Sequence, residues 1–148
     1  MLIQSGHLVS QIKRLSDRIL ERILTEQGID AFNGAQGRIL YVLWQQEHIS
    51  FRDLADRTAL AATTLTSMID RMESSGLVCR IPDQGDRRKT LLALTDKARN
   101  LRQDYTAVST RMTEIFYASF TEEEIRQCEA FLSRIHENLK CHDHFPKS

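Results

Sequence analysis

The sequence predicts a mainly α-helical chain interrupted by one short β-hairpin, and three observations carry that expectation. Apolar residues recur at steps of three and four along most of the 148 residues. Two prolines and six glycines are too few for a chain built from many strands and turns. Strand-like composition gathers in one stretch, "VCRIPDQGDRRKTLLALT" from Val78 to Thr95, where two apolar runs flank a polar turn containing glycine.

Composition bounds the rest. Hydrophobic residues make up 41% of the chain and charged residues 27%, enough apolar material for a core and enough order to exclude a disordered chain. The length suits one compact unit or a small domain with appended helices. Basic and acidic residues balance at 20 each. Zero net charge counts against a nucleic-acid partner, so any such role must rest on where the cations lie. The N-terminal "MLIQSGHLVSQIKRL" lacks the apolar block of a signal peptide, and no run approaches the ~20 apolar residues of a membrane span. Cys79, Cys128 and Cys141 are odd in number and lack CxxC spacing, so reduced thiols in the cytoplasm are expected.

Leu8, Ile12, Leu15, Ile19 and Ile23 form one stripe on a helix from about Leu2 to Glu26, which Gly28 ends. After the linker "IDAFNG", Ala35–Gln46 reads as a second helix, apolar on so many sides through Ile39, Leu40, Val42, Leu43 and Trp44 that it should be central. Ser50 and Asp53 are spaced as a capping box for a short helix with Leu54 and Ala55 inward. The next helix, "AATTLTSMIDRMESSG", turns Leu65, Ile69 and Met72 inward and ends at Gly76. Two short helices joined by a tight turn make a helix-turn-helix.

Beyond the hairpin, a long helix is expected from about Asp96 to Ser119. Leu101, Tyr105, Val108, Met112 and Ile115 give it a seam for another helix. Thr121 and Glu124 open a last helix with Ile125, Cys128, Leu132, Ile135 and Leu139 along one side, and "CHDHFPKS" reads as a frayed end. A first helix of about 25 residues is ~37 Å long, more than a helix-turn-helix unit covers. The terminal stripes therefore need a partner, most simply a second copy of the chain.

The second helix of the helix-turn-helix carries Thr63, Thr64, Thr66 and Ser67 outward near its N-terminus, followed by Arg71. Short hydroxyls can donate to phosphates and base edges at close range, and a helix N-terminus attracts anions. Arg87, Arg88 and Lys89 near the hairpin tip could follow the backbone into a minor groove. Asp86 is expected to pair with an arginine and hold it pointed. Arg80 reads equally as a solvated strand residue or a phosphate contact.

Here the sequence resembles the MarR family of bacterial transcriptional regulators. The resemblance rests on Leu54–Ala55, on a "TxTxxIDRxExxGLVxR" run from Thr64 to Arg80, on the wing's "DxR" at Asp86 and Arg88, and on Leu94–Thr95. It implies a winged helix-turn-helix, mainly α with a small β-hairpin wing and with N- and C-terminal dimerisation helices. The implied layout is a dimerisation helix over 1–30, a DNA-binding domain over 31–95 and dimerisation helices over 96–148. It also implies a homodimer on a pseudo-palindromic double-stranded operator, acting as a repressor relieved by a small ligand or by oxidation. Two positions depart from the family's pattern: Ser67 replaces a long basic side chain, and Ala61 occupies the helix N-cap. No cysteine precedes Cys79, which argues against the peroxide sensing that uses a first-helix cysteine.

His7, Tyr41 and Trp44 are candidates to line a cleft for an aromatic or hydrophobic effector. Cys141, His142, Asp143 and His144 hold metal-ligand types without a rigid spacing, so a flexible tail is the simpler reading and neither metal nor cofactor is expected. Cys79 and Cys128 read as packing residues. No nucleophile elbow, phosphate loop or HExxH occurs, so no enzyme is expected. Two alternatives stay open: a thiol- or metal-responsive regulator using Cys79, Cys128 or the tail, and a winged helix serving as a protein-binding scaffold.

Overall fold

The computed structural model describes residues 4–143. The chain forms two compact units, Met1–Met112 and Thr113–Ser148. The first holds α1 (Ser5–Glu26), α2 (Gly34–Gln45), β1 (Ile49–Ser50), α3 (Phe51–Thr58), α4 (Ala62–Ser74), β2 (Val78–Pro82), β3 (Thr90–Leu94) and α5 (Asp96–Asn100). Helix α6 (Arg102–Phe116) starts in the first unit and ends in the second, which also holds α7 (Glu122–His142). Among the described residues no helix is long and apolar enough to cross a membrane.

Helix α1 uses only part of its stripe within its own unit. Ile23 and Leu24 are buried and Ile19 packs beside them, whereas Leu8, Val9, Ile12 and Leu15 are exposed. Leu2 and Ile3, where the helix was expected to begin, lie outside the described residues. Gly28 ends the helix at φ 68°, a backbone that L side chains adopt only with strain. Asp17 pairs with both Lys13 and Arg38, and Glu21 accepts a hydrogen bond from the Gly34 amide at 2.6 Å, so α1 caps α2 from outside.

Helix α2 is central, as its apolar breadth predicts: Ile39, Leu40 and Leu43 have no exposed surface. It opens on a capping box missed in the sequence. Asn33 Oδ1 accepts from the Gln36 amide at 2.8 Å, and Gln36 Oε1 accepts from the Asn33 amide at 3.1 Å. Gly37 allows a close approach, since a Cβ there would lie 3.3 Å from Tyr105 Cε2.

At α3 only half of the expected box forms. Ser50 Oγ accepts from the Asp53 amide at 3.1 Å, and no return bond from the Asp53 carboxylate is made. Aspartate is one methylene shorter than the glutamate that closes such a box. The turn to α4 passes through Ala59 at φ 55°. Leu54, Leu65, Ile69 and Met72 then meet with no exposed surface, the expected crossing of a helix-turn-helix.

The hairpin has a third strand that was not expected. The sheet order is β1-β3-β2, all antiparallel, with Ile49 opposite Leu92 and Cys79 opposite Ala93. Two residues are too few to show an alternation. Thr95 roots the hairpin: its hydroxyl donates to Gly76 O at 2.6 Å and accepts from the Ala98 amide at 3.2 Å.

The expected single helix from Asp96 to Ser119 is in fact two. The Leu101 amide bonds three residues back to Ala98 O at 3.2 Å, a tightened step that separates α5 from α6. The chain leaves the helical region again at Ser119, φ 68°. The seam on α6 is already occupied over its first turns. Val108 is buried, and Leu101, Tyr105 and Met112 pack on the core of their own unit, leaving Ile115 exposed. In the second unit, Thr121 and Glu124 form the expected capping box, at 3.1 and 2.8 Å. Helix α7 continues through Cys141 and His142 where fraying was expected, and buries none of its residues.

Candidate nucleic-acid interface

Helix α4 is held by its buried side, which turns the opposite side to solvent. Thr63, Thr64, Thr66, Ser67 and Arg71 are all exposed. At ~100° per residue, Thr63, Ser67, Asp70 and Ser74 fall along the middle of that outer strip, with Thr64 and Arg71 on one flank and Thr66 and Glu73 on the other. The Thr66 hydroxyl donates to Ala62 O at 2.8 Å, which leaves it as an acceptor. Ala61 supplies no side-chain cap, so the first-turn amides of α4 stay open to an anion.

The wing tip is built by its own aspartates. The Asp83 amide donates to Lys89 O and the Lys89 amide to Asp86 O, both at 2.9 Å. Asp83 Oδ1 accepts from the Gly85 amide at 3.0 Å, and Asp86 Oδ1 from the Arg88 amide at 3.1 Å. Asp86 therefore shapes the turn first, and its carboxylate also stands 3.8 Å from Arg88 Nε. The Arg88 side chain is 95% exposed. Arg87 and Lys89 are exposed beside it.

Arg80 takes a role that neither sequence reading contained. It reaches back to α4, with Nη2 2.6 Å from Asp70 Oδ1 and Nε 3.4 Å from Glu73 Oε2. The signal was present as acids at i and i+3 on α4, but the return path of β2 was needed to see it.

Glu47 ties the base of the wing to α5. It accepts from the Leu94 amide at 3.2 Å and from Arg99 Nη2 at 2.8 Å, while Arg99 Nη1 holds Asp96 at 2.6 Å. The Arg99 hydrogen bond lowers the Glu47 pKa against the opposing effect of burial, with the Leu94 amide adding to it.

Of the proposed cleft residues, Tyr41 and Trp44 come together around Tyr105. The Tyr41 ring stacks on it at 5.8 Å and the Trp44 ring lies 5.0 Å away, with Phe32 at 6.2 Å. Trp44 Nε1 donates to Ala98 O at 3.1 Å. Burial, and secondarily Tyr41, raises the Tyr105 phenol pKa, opposed by Arg38. His7 is exposed near the start of α1, far along the helix from Ile23, and does not join this cluster. Cys79 is half-buried with Sγ 3.7 Å from Ala93 O. Cys128 lines an apolar groove of the second unit with Phe120, Phe131 and Leu132. Cys141 is exposed, and His144 lies outside the described residues.

The MarR family profile matches residues 32–90. The chain is 41% identical over 64 residues to the HTH-type transcriptional regulator TtmR of Methylorubrum extorquens, a match covering 43% of this chain and 33% of that protein. It is 34% identical over 95 residues to the homoprotocatechuate degradative operon repressor of Escherichia coli, covering 62% of each. These matches thus span less than two thirds of either relative. Among solved structures, a cysteine-to-serine variant of Escherichia coli MarR complexed with operator DNA superposes with a TM-score of 0.80 at 25% identity, covering 90% of this chain and 94% of that one.

Proposed function

We propose, for a chain that carries a winged helix-turn-helix and matches the MarR family model over residues 32–90, a sequence-specific DNA-binding transcriptional regulator that acts as a repressor. It binds a pseudo-palindromic operator as a homodimer. Helix α4 enters the major groove with Thr63, Thr64 and Ser67 toward base edges and phosphates, Thr66 as an acceptor toward base amino groups, and Arg71 on the flank toward phosphate. Arg87, Arg88 and Lys89 follow the adjacent minor groove. Two-fold symmetry sets the two α4 helices about one DNA turn apart, ~34–36 Å.

The observation that carries this reading is the conjunction of an uncapped, hydroxyl-faced α4 with exposed wing cations in a chain of zero net charge. A merely solvated helix has no need of threonines, which are mediocre helix formers. The repressor assignment is supported by the name of the 34%-identical relative. An aromatic or hydrophobic effector is supported by the Tyr41–Trp44–Tyr105 cluster, on which such a ligand would stack. It would act through unequal affinity for DNA-competent and DNA-incompetent states.

Selection of bound sites from random DNA tests the reading. An inverted repeat with half-site centres about 10 base pairs apart is expected. Affinity for it should fall with salt at about −0.9 in log–log slope per phosphate contact. Enrichment of no sequence would reject the proposal.

A further inference from the structure

The outer strip of α4 contains a charge problem. Asp70 lies on the same line as Thr63 and Ser67, one turn further along, and Glu73 lies on its flank. Carboxylates there would face DNA phosphates and repel them. Arg80 answers both, with Nη2 2.6 Å from Asp70 and Nε 3.4 Å from Glu73. It reaches them from β2, the strand that leads into the wing. Its side chain is 40% exposed, against 60% for Asp70 and 45% for Glu73, so the contact lies at the surface that α4 offers.

Resting on the DNA-binding function proposed above, we propose that Arg80 is a positioning residue rather than a DNA contact. It cancels the Asp70 and Glu73 charges beside the α4 reading strip and ties the wing strand to that helix. A guanidinium suits the task because its planar fork meets two carboxylates at once, which an ammonium on a flexible stem does less well. In solvent such a pair adds little stability, so its effect should appear in DNA binding more than in folding. Arg80 meets the two acids from β2, while at the wing tip Arg88 stands 3.8 Å from Asp86 and Arg87 and Lys89 are exposed.

Two measurements on the full chain test this. The first needs no DNA. The Arg80 Nε–H resonance, assigned by its disappearance in Arg80→Ala, should shift and exchange faster with water in Asp70→Asn/Glu73→Gln. An unchanged resonance would show that the contact is absent in solution and overturn the proposal. The second is a cycle of affinities for a selected operator, with circular dichroism to verify folding. Arg80→Ala should weaken binding about tenfold in the wild-type background and less than about twofold once Asp70 and Glu73 are neutral, because the uncompensated acids are then gone. Equal losses in both backgrounds would make Arg80 a direct phosphate contact, and no loss in either would remove it from DNA binding; both outcomes overturn the proposal. A wild-type chain that binds no DNA would instead reject the function on which the cycle depends, and the resonance would still decide whether the ion pair exists.

Discussion

Arg88 and Asp86 show how one residue serves another at the wing tip. Asp86 bonds the Arg88 amide and stands 3.8 Å from its Nε, so the arginine leaves the turn in a defined direction while its guanidinium remains in solvent. Arg88→Ala should weaken operator binding by about 1–3 kcal/mol, measured by fluorescence anisotropy, and unchanged binding would remove the wing from the proposed interface. Asp86→Ala should weaken it less, by loosening the turn without deleting a cation. A different kind of residue effect sits at Ala59, which holds a left-handed backbone at φ 55° between α3 and α4. A Cβ is strained there, so Ala59→Gly should raise stability by about 0.5–1 kcal/mol in urea unfolding, and a loss of stability would show that the turn is not strained in this way.

At the scale of elements, much was legible because helices write their packing as period and their ends as caps. The α4 triplet Leu65, Ile69 and Met72 reads directly as a buried side and has no exposed surface. The Thr121–Glu124 box needed only local spacing. What escaped depends on partners distant in sequence. β1 exists because Ile49 meets Leu92, and Arg80 finds Asp70 only after β2 returns alongside α4. Glu47 belongs with these, joining the ends of α2 and β3 to α5 through Leu94 and Arg99. Its pKa is lowered from 4.5, with the Arg99 hydrogen bond the main cause, so its contribution is present above that value and lost as pH falls through the lowered one. Glu47→Gln should therefore cost about 0.5–1 kcal/mol near neutral pH, and the gap from wild type should narrow as pH falls below 4.5 and close once the lowered folded-state pKa is passed. Urea midpoints across pH 3–7 check this, and a gap constant with pH would assign the effect to packing instead of charge.

At the scale of the whole molecule, the telling observation is what each unit leaves uncovered. In the first, Leu8, Val9, Ile12 and Leu15 keep one side of α1 apolar and exposed. In the second, Phe131, Leu132, Ile135 and Leu139 do the same for α7. The seam on α6 packs on the core of its own unit through Val108 and Met112, while Ile115 and Phe116 at its end stay exposed. Apolar stripes of this kind are unfavourable in water at ~25 cal/mol per Å² of exposed surface, and a two-fold partner would cover them with the same residues it brings. Ile12→Glu places a charge in the α1 stripe without touching the buried end at Ile23 and Leu24. In sedimentation velocity the wild type is expected as a dimer and this variant as a monomer of unchanged helical content. Operator affinity should fall much further than for any single wing substitution, because losing the dimer removes one whole half-site of contacts and not one cation. A variant that stays dimeric and binds normally would show that α1 is not the surface the second copy covers.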